Sequence, residues 1–275
     1  MKPRPFDYVR PDTVEEVLAL LAEYGDDARI LAGGQSLVPM LNLRLVDSAV
    51  LIDISCIAAL GEIRDGPAVE IGAAVTQNTL LAWPPLAQRL PLVAAALPFV
   101  GHFQTRNKGT VCGSIAHADP SAELPLALAV YGGDVVLRSK ARGERVLSVA
   151  QFQKGMLATD REPDELITAV RFPTLPGWGA GFREVARRHG DFAIVAVAGL
   201  FMGEWARVGV GGLIGRPVVK PVGADVLRQR PDDWFREWLD HFEGLDDLHA
   251  SAAMRRDMCR KLIPEVMAEA QSCFG

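Results

Sequence analysis

Several features that mark common protein classes are missing from this chain of 275 residues. The four cysteines (Cys56, Cys112, Cys259 and Cys273) form no C-x-x-C pair and have no histidine at metal-ligand spacing, so nothing supports a zinc site or an iron–sulfur cluster held by this chain alone. Basic residues number 29 against 34 acidic ones, whereas a general nucleic-acid-binding protein presents a basic face. No apolar run reaches the roughly 18 residues that span a bilayer, and the start, MKPRPFDYVRP, lacks the apolar region of a signal peptide. We therefore expect a cytoplasmic protein that binds no nucleic acid and crosses no membrane.

Common nucleotide-binding and hydrolase motifs are also missing. The chain has no G-x-x-x-x-G-K-[ST] segment, which argues against a P-loop, and no G-x-S-x-G elbow of a hydrolase. GVGGLIG (209–215) resembles a dinucleotide fingerprint, but Ile214 stands where that motif needs its last glycine, and Arg216-Pro217 would keep a helix from opening there. We interpret the segment as the end of a strand.

The pattern that is present begins with a compact α/β unit. Thr13-Val-Glu-Glu16 is a capping box, and the apolar residues after it recur at helical spacing, which predicts a helix that ends at Gly25. The residues that follow predict, in order, a strand over 28–32, a glycine turn at 33–34, a short helix from the Ser36 cap to about Leu43, and a strand over 48–55.

Residues 57–175 have the pattern of helices mixed with antiparallel strands. It predicts a strand over 69–75, helices over 76–83 and around 90–97, a hairpin over 134–149, and an edge strand over 165–173 that ends at proline. A segment rich in glycine and polar residues, over 100–125, interrupts this regular pattern.

The clearest linker is PTLPGWGAG (173–181). Beyond it, the patterns predict a small antiparallel sheet over 182–215 and helices near 232–242 and 251–270, with a kink or a break at Pro264. The expected fold class is therefore α+β: a small α/β unit, a mixed or antiparallel sheet with helices, and a C-terminal α+β part with its own small antiparallel sheet.

Two glycine segments suggest the chemistry of a binding site. AGGQSL (32–37) and GTVCGSIAHADPSAELP (109–125) place glycines and small hydroxyl residues where a strand gives way to a helix or turn. Glycine lets backbone N–H groups approach an anion closely, and Ser36 and Ser114 add hydroxyl donors. One such segment is usually only a turn. Two in one chain can hold the two phosphates of a pyrophosphate from opposite sides.

Three segments carry a resemblance to a known family: AGGQSLVPMLNLR (32–44), RNKGTVCGSIAHADPSAELP (106–125) and ARRHGDFA (186–193). Together with SAAMRRDMCRKL (251–262), they resemble the flavoprotein subunit of the molybdenum hydroxylases. This family includes the medium subunit of aerobic carbon monoxide dehydrogenase and the flavin portion of xanthine dehydrogenase. The resemblance covers nearly the whole chain.

The resemblance implies an FAD-binding electron-transfer subunit with FAD-binding subdomains over 1–56 and 57–175 and a C-terminal subdomain over 176–275. It further implies a large partner with molybdopterin, which hydroxylates the substrate, and a small partner with two [2Fe–2S] clusters. The assembly would be a heterotrimer or a dimer of heterotrimers. The clusters would reduce the flavin of this chain, which passes the electrons to an external acceptor. No catalytic residue and no metal ligand are expected in the chain itself.

The resemblance also implies which residues bind FAD. The first glycine loop wraps the pyrophosphate, the second completes the clasp, and other residues match single contact positions of the family. The full set is Ile30, Leu31, Ala32, Gly33, Gly34, Gln35, Ser36, Leu37, Gly101, Thr110, Val111, Cys112, Gly113, Ser114, His117, Asp119, Glu123, Leu166, Arg183 and Phe192.

Some of these positions have individual roles in the family. Glu123 matches an acidic position near the sugar–adenine half, and Leu166 an apolar contact at the adenine or the ring edge. Arg183 falls near the pyrimidine end of the flavin, where a positive charge stabilises reduced flavin, and Phe192 lies against the isoalloxazine face. Asp119 is interpreted as a helix-start cap that also touches the cofactor. Without the resemblance, Glu123 and Arg183 would be interpreted as solvated surface charges and Phe192 as a core aromatic.

Cys112 departs from the commoner family pattern, which has glycine there. A cysteine still presents its backbone N–H if the loop needs no positive φ at that position. Its thiol would lie close to the cofactor, either as a tolerated small residue or as a redox thiol.

Two other functions are compatible with the sequence. One is a stand-alone FAD-dependent oxidoreductase of the related vanillyl-alcohol-oxidase-like fold, but no feature marks the acid or base that it would need above the flavin. The other is a non-enzymatic module that binds a nucleotide. If the chain is the flavoprotein subunit, its sequence does not reveal the substrate, because the substrate binds to the molybdenum subunit.

Overall fold

The structure is a computed structural model that describes residues 2–174, 177–223, 226 and 231–274. Its N-terminal unit is a parallel three-stranded sheet of β1 (Asp7–Val9), β2 (Ala28–Leu31) and β3 (Val50–Asp53), in the order β1-β3-β2. Helices α1 (Val14–Tyr24) and α2 (Leu37–Asn42) connect the strands. The predicted helix–strand–turn–helix–strand order is confirmed, and β1, too short for a sequence signal, is added to it.

The start of α1 shows why the sequence predicted it well. The Thr13 side chain accepts from the Glu16 N–H while the Glu16 carboxylate accepts from the Thr13 N–H, so the capping box is complete, and the helix ends at Gly25. Ser36 does occupy the N-cap position of α2, but its side chain makes no capping hydrogen bond. That part of the prediction was wrong, and the Ser36 hydroxyl is left for another partner.

The second sheet is antiparallel. Its strands are β4 (Ile63–Arg64), β5 (Ala68–Gly72), β6 (Asp134–Ser139), β7 (Gly143–Ser148) and β10 (Glu165–Pro173), and β8 (Gln153–Gly155) and β9 (Ala158–Thr159) form a separate small hairpin. The predicted hairpin of β6 and β7 is confirmed. The edge-strand prediction for β10 was wrong, because β10 lies in the centre of the order β4-β5-β10-β6-β7 and pairs on both sides.

Short helices follow β5 and β7 in the chain. They are α3 (Gln77–Leu81), α4 (Leu86–Arg89), α5 (Pro91–Ala96), α6 (Phe103–Arg106), α7 (Val111–His117), α8 (Glu123–Tyr131) and α9 (Val149–Phe152). Three of them fall in 100–125 or begin there, so the interruption predicted for this segment is largely helical. The glycines and polar residues obscured the buried positions of α7 and α8, whose apolar residues pack in the core.

The third sheet is antiparallel in chain order, with β11 (Gly179–Val185), β12 (Val195–Phe201), β13 (Trp205–Gly211) and β14 (Val218–Gly223). It is followed by α10 (Pro231–Asp240) and α11 (Ala252–Ser272). Helix α11 lies directly on β11, because a Cβ on Gly179 would be 1.8 Å from the Ala270 carbonyl oxygen. The small antiparallel sheet is confirmed. Of the kink or break predicted at Pro264, the break is wrong, because α11 continues through this residue.

Helix α8 joins the second and third sheets. All its residues except Ala129 are buried, which explains its nearly unbroken apolar sequence. Across the contact, a Cβ on Gly209 of β13 would lie 2.3 Å from a Val130 methyl group. The predicted subdomain boundaries stay a prediction, but this packing fixes the third sheet firmly against the elements that carry the glycine segments.

Candidate cofactor-binding cleft

A cleft of about 630 Å³ runs between the first glycine loop, α7 and the loop before β12. It brings together residues from all three segments that carry the family resemblance. The predicted site residues that line it are Ile30, Ala32, Gly33, Gly34, Gln35, Ser36, Leu37, Gly101, Thr110, Cys112, Gly113, Ser114, His117, Asp119, Glu123, Leu166 and Phe192. Leu31, Val111 and Arg183 do not line it.

The first glycine loop connects β2 to α2 and presents a row of unpaired backbone donors. Within the part of the chain that the structure describes, the N–H groups of Gly33, Gly34, Gln35 and Ser36 donate to no protein acceptor. Gly34 has a φ of +70°, a left-handed conformation that occurs in loops whose successive amides form anion-binding concavities. Gly33, Gly34 and Ser36 are half-buried, and backbone N–H groups that become buried nearly always have a partner. Such a row is therefore suited to bind an anion.

The second glycine segment begins with an extended Thr110 and continues as α7, which agrees with the predicted change from a strand to a helix or turn. The Thr110 side chain accepts from the Gly113 N–H at 3.0 Å and caps α7. The Val111 N–H donates to the Val75 carbonyl at 3.1 Å, and Thr110 forms a bridge with Thr76. Gly113 fits its place because a Cβ there would be 2.7 Å from the Thr110 hydroxyl oxygen.

Cys112 sits in the first turn of α7, where no positive φ is required, so the geometry tolerates a residue other than glycine. Its Sγ donates to the Ile71 carbonyl at 3.4 Å, on the side of the second sheet. Burial raises the pKa of the thiol to about 12. A thiol with so little thiolate at neutral pH is a poor redox group. Of the two interpretations of Cys112, the structure favours the tolerated small residue.

Asp119 does not cap a helix. Its carboxylate accepts from the Ser121 N–H at 2.8 Å in a local turn, and α8 begins only at Glu123, after Ala122. The cap prediction was wrong because Asp-Pro initiates turns as readily as helices. Asp119 still lines the cleft.

Glu123 is buried at the edge of the cleft with only 5% of its surface exposed. Burial raises the pKa of its carboxyl to about 8, and the charges of Glu184 and Asp119 act in the same direction. The neighbour Glu184 on β11 has its pKa raised to about 7, also by burial, and its Oε2 is buried without a hydrogen-bond partner. At neutral pH Glu123 is mostly protonated, so it can donate a hydrogen bond as well as accept one.

Of the two residues predicted to contact the flavin ring, Phe192 lines the cleft and Arg183 does not. Phe192 is 64% exposed at the mouth of the cleft, between the loop and open solvent, so it is not a core aromatic. Arg183 points to the other face of β11, where its Nη1 contacts the Glu269 carboxylate of α11 at 2.5 Å. The structure therefore does not bring Arg183 to the cleft.

Several residues of the cleft carried no sequence signal. Arg161 is largely buried, which lowers the pKa of its guanidinium, and its Nη1 donates to the carbonyls of Glu162 and Glu165 at 2.9 and 2.8 Å. Leu157 has a φ of +53°, and its N–H donates to the Ala118 carbonyl, which holds the β8–β9 hairpin over α7. Gln77, at the start of α3, is 5% exposed and also lines the cleft. Only the folded chain brings these residues to the glycine segments.

Metal-binding clusters and membrane-spanning helices are both absent from the described residues. Among them, no group of three or more His, Cys, Asp or Glu side chains is arranged to hold a metal ion. In the same part of the chain, no helix combines the length and the apolar character needed to cross a bilayer.

Comparison with known proteins places these features in context. Residues 4–175 match the family described as the FAD binding domain in molybdopterin dehydrogenase. The chain is 37% identical to the caffeine dehydrogenase subunit beta of Pseudomonas sp. (strain CBB1), over 82% of this chain and 84% of that one. It is 34% identical to the nicotine 6-hydroxylase medium subunit of Paenarthrobacter nicotinovorans, over 98% and 99% of the two chains. It also superposes on a chain of the Cu,Mo-CO dehydrogenase in its cyanide-inactivated form with a TM-score of 0.94 and 30% identity, covering 99% of this chain and 100% of that one.

Proposed function

Because this chain belongs to the family of FAD-binding domains of molybdopterin dehydrogenases, we propose a specific place for it in electron flow. The chain is the FAD-binding medium subunit of an oxidoreductase of the molybdenum hydroxylase class. In the proposal, a large molybdopterin subunit oxidises the substrate, and a small subunit passes the electrons through two [2Fe–2S] clusters to the FAD of this chain. An external acceptor then takes them. The assembly is a heterotrimer, or a dimer of heterotrimers, in the cytoplasm.

The observation that carries the proposal is the row of unpaired N–H groups from Gly33 to Ser36 on the wall of the cleft. Four consecutive donors without protein acceptors suit the oxygens of a pyrophosphate, and no positively charged side chain is needed to hold an anion in such a concavity. The start of α7 faces the same cleft from the second glycine segment. The residues present therefore fit FAD, and the twenty predicted site residues are proposed as its surroundings, with Arg183 conditional on its release from Glu269.

Bound FAD supplies the redox chemistry, since it can take up electrons singly and in pairs. The residues of this chain bind and orient it. The amides of the first loop would hold the pyrophosphate, and the protonated Glu123 carboxyl would donate a hydrogen bond to the cofactor. Phe192 would contact the flavin ring and limit the access of water. The subdomains 1–56 and 57–175 provide these groups, while 176–275 carries the loop with Phe192.

The proposal is tested by purifying the full-length chain together with its partner subunits. We expect about one FAD per chain on denaturation, and bleaching of the flavin absorption on addition of the complex's substrate only when the iron–sulfur subunit is present. A colourless preparation that releases no FAD would contradict the cofactor assignment. A flavin that is reduced equally well without the iron–sulfur subunit would contradict the electron route.

A further inference from the structure

Gln77 occupies a fixed position beneath the second glycine segment. It is the first residue of α3, whose N-cap Thr76 accepts from the Thr79 N–H at 3.0 Å. The backbone N–H of Gln77 donates to the Gly109 carbonyl at 2.8 Å, which ties the start of α3 to the residue just before the α7 cap. The Gln77 side chain is thereby held at the wall of the cleft.

The carboxamide oxygen of Gln77 lacks a partner. This oxygen, Oε1, is buried and makes no hydrogen bond, although the residue is only 5% exposed. A buried polar atom without a partner typically costs about 1–3 kcal/mol, and such atoms are rare in folded proteins. An orphan atom at the wall of a ligand cleft is accounted for if the ligand supplies its partner.

The unpartnered oxygen of Gln77 lies next to Gly109, which contacts the first glycine loop. A Cβ on Gly109 would be 3.2 Å from Gln77 Oε1. A Cβ on Gly33 would be 2.8 Å from the Gly109 Cα. Gln77, Gly109 and Gly33 thus follow one another in space, and the unpaired amides of the first loop begin at Gly33.

We propose that the Gln77 carboxamide is a ligand of the bound cofactor, donating a hydrogen bond to its pyrophosphate where the two glycine segments meet. This inference rests on the proposed function. A half-turn of the carboxamide exchanges Oε1 and Nε2, and the NH₂ group is the one that faces an anionic oxygen. The bond complements the backbone amides with a neutral donor from a third element, α3.

The test compares Gln77→Leu, Gln77→Met and Gln77→Glu with the wild-type chain, each as the full chain in its complex with the partner subunits. FAD is removed and then titrated back, with flavin fluorescence as the readout. A hydrogen bond to a charged group contributes about 1.5–3 kcal/mol, so the two apolar variants should bind FAD roughly 10- to 100-fold more weakly. Gln77→Glu should bind more weakly still, because a carboxylate would face the phosphates.

Three further measurements make the outcome decisive. Gln153→Leu is the matched control, since Gln153 is also buried with an orphan amide atom but does not line the cleft, and it should leave FAD affinity unchanged. The apo form of Gln77→Leu should unfold at the same denaturant concentration as the wild type or a higher one, because an unpaired polar group is removed. ADP, which keeps the pyrophosphate, should lose affinity by the same factor as FAD.

Unchanged FAD affinity in both apolar variants would overturn the proposal. A loss for FAD without one for ADP would also overturn it, because the contact would then lie in the flavin half. If Gln77→Leu fails to fold, the FAD affinity of Gln77→Met alone tests the proposal. A wild-type chain that binds no FAD at all would instead contradict the proposed function, which separates the two failures.

Discussion

Gly33 packs directly against the backbone of Lys108, so closely that a Cβ on Gly33 would lie 2.0 Å from the Lys108 carbonyl oxygen. No real Cβ tolerates that distance, and a backbone carbonyl cannot rotate away as a side chain can. The contact presses the first glycine loop against the residues just before the second segment. The two halves of the proposed clasp can therefore lie this close together only because residue 33 is a glycine.

Gly33→Ala should force the two segments apart and weaken FAD binding by more than tenfold. The reason is steric, because the loop must shift by more than an ångström and its row of amides shifts with it. FAD affinity is measured by titration of the deflavo protein. Gly66→Ala is the control, since a Cβ there makes only ordinary contact at 3.6 Å and should change nothing. Full FAD affinity in Gly33→Ala would show that the spacing of the segments does not matter.

Glu123 should make the cofactor-free protein less stable as the pH rises. Its pKa is raised from 4.5 to about 8 in the folded state, so between these values the folded chain keeps a proton that the unfolded chain has released. Ionisation of Glu123 does not lower the free energy of unfolding below pH 4.5. Between pH 4.5 and about pH 8 the free energy of unfolding falls as the pH rises, by up to about 1.4 kcal/mol per pH unit for one proton. Glu184 adds to the fall up to about pH 7.

The measurement is urea unfolding of the deflavo chain at pH 5.5 and pH 8. Glu123→Gln, which carries no proton to lose, should show a clearly smaller fall in unfolding free energy between the two values. Glu184→Gln should reduce the fall mainly below pH 7. If Glu123→Gln unfolds with the same pH dependence as the wild type, the carboxyl is not held protonated by its burial.

The four cysteines should divide into two classes. Cys56 and Cys273 are exposed, whereas Cys112 and Cys259 are buried, and burial raises the pKa of each buried thiol to about 12. Only thiolates attack a disulfide reagent quickly. A colorimetric thiol titration should therefore count two fast thiols in the native chain and four in denaturant. Cys112→Ala should keep both fast thiols, and the loss of one would restore the redox interpretation of Cys112.

Local signals explain the parts of the fold that could be predicted from the sequence. The capping box at Thr13 determines the start of α1, and Gly143, with a φ of +72°, follows the turn of the predicted β6–β7 hairpin. Each of these signals is contained in a few neighbouring residues. The position of β10 is not, because whether a strand is central depends on β5 and β6 on either side, and β5 comes about a hundred residues earlier in the chain. Its alternation was a poor guide, since most of its residues are buried.

The candidate site could be predicted in the same uneven way. Segments that bind a ligand through their backbone are rich in glycine, so the sequence could point to Gly33, Gly34 and Gly113, which all line the cleft. Gln77 and Arg161 contribute single side chains from elements with no motif, and only tertiary structure brings them to the cleft. The family resemblance supplied positions but not orientations, which is why Arg183 was expected at the flavin and is paired with Glu269.

Phe192 should affect the flavin without affecting the fold. The side chain is 64% exposed, so Phe192→Ala should change the unfolding free energy by no more than about 0.5 kcal/mol. An aromatic contact with the flavin ring contributes about 0.5–1.5 kcal/mol, so FAD should bind roughly 2- to 10-fold more weakly. Phe182→Ala is the contrasting variant, because that ring is buried beside Phe99 and its loss should cost about 3–5 kcal/mol of stability. Chemical unfolding and FAD titration of both variants separate the two roles. A Phe192→Ala chain that is destabilised but binds FAD normally would mean that the ring serves the fold and not the cofactor.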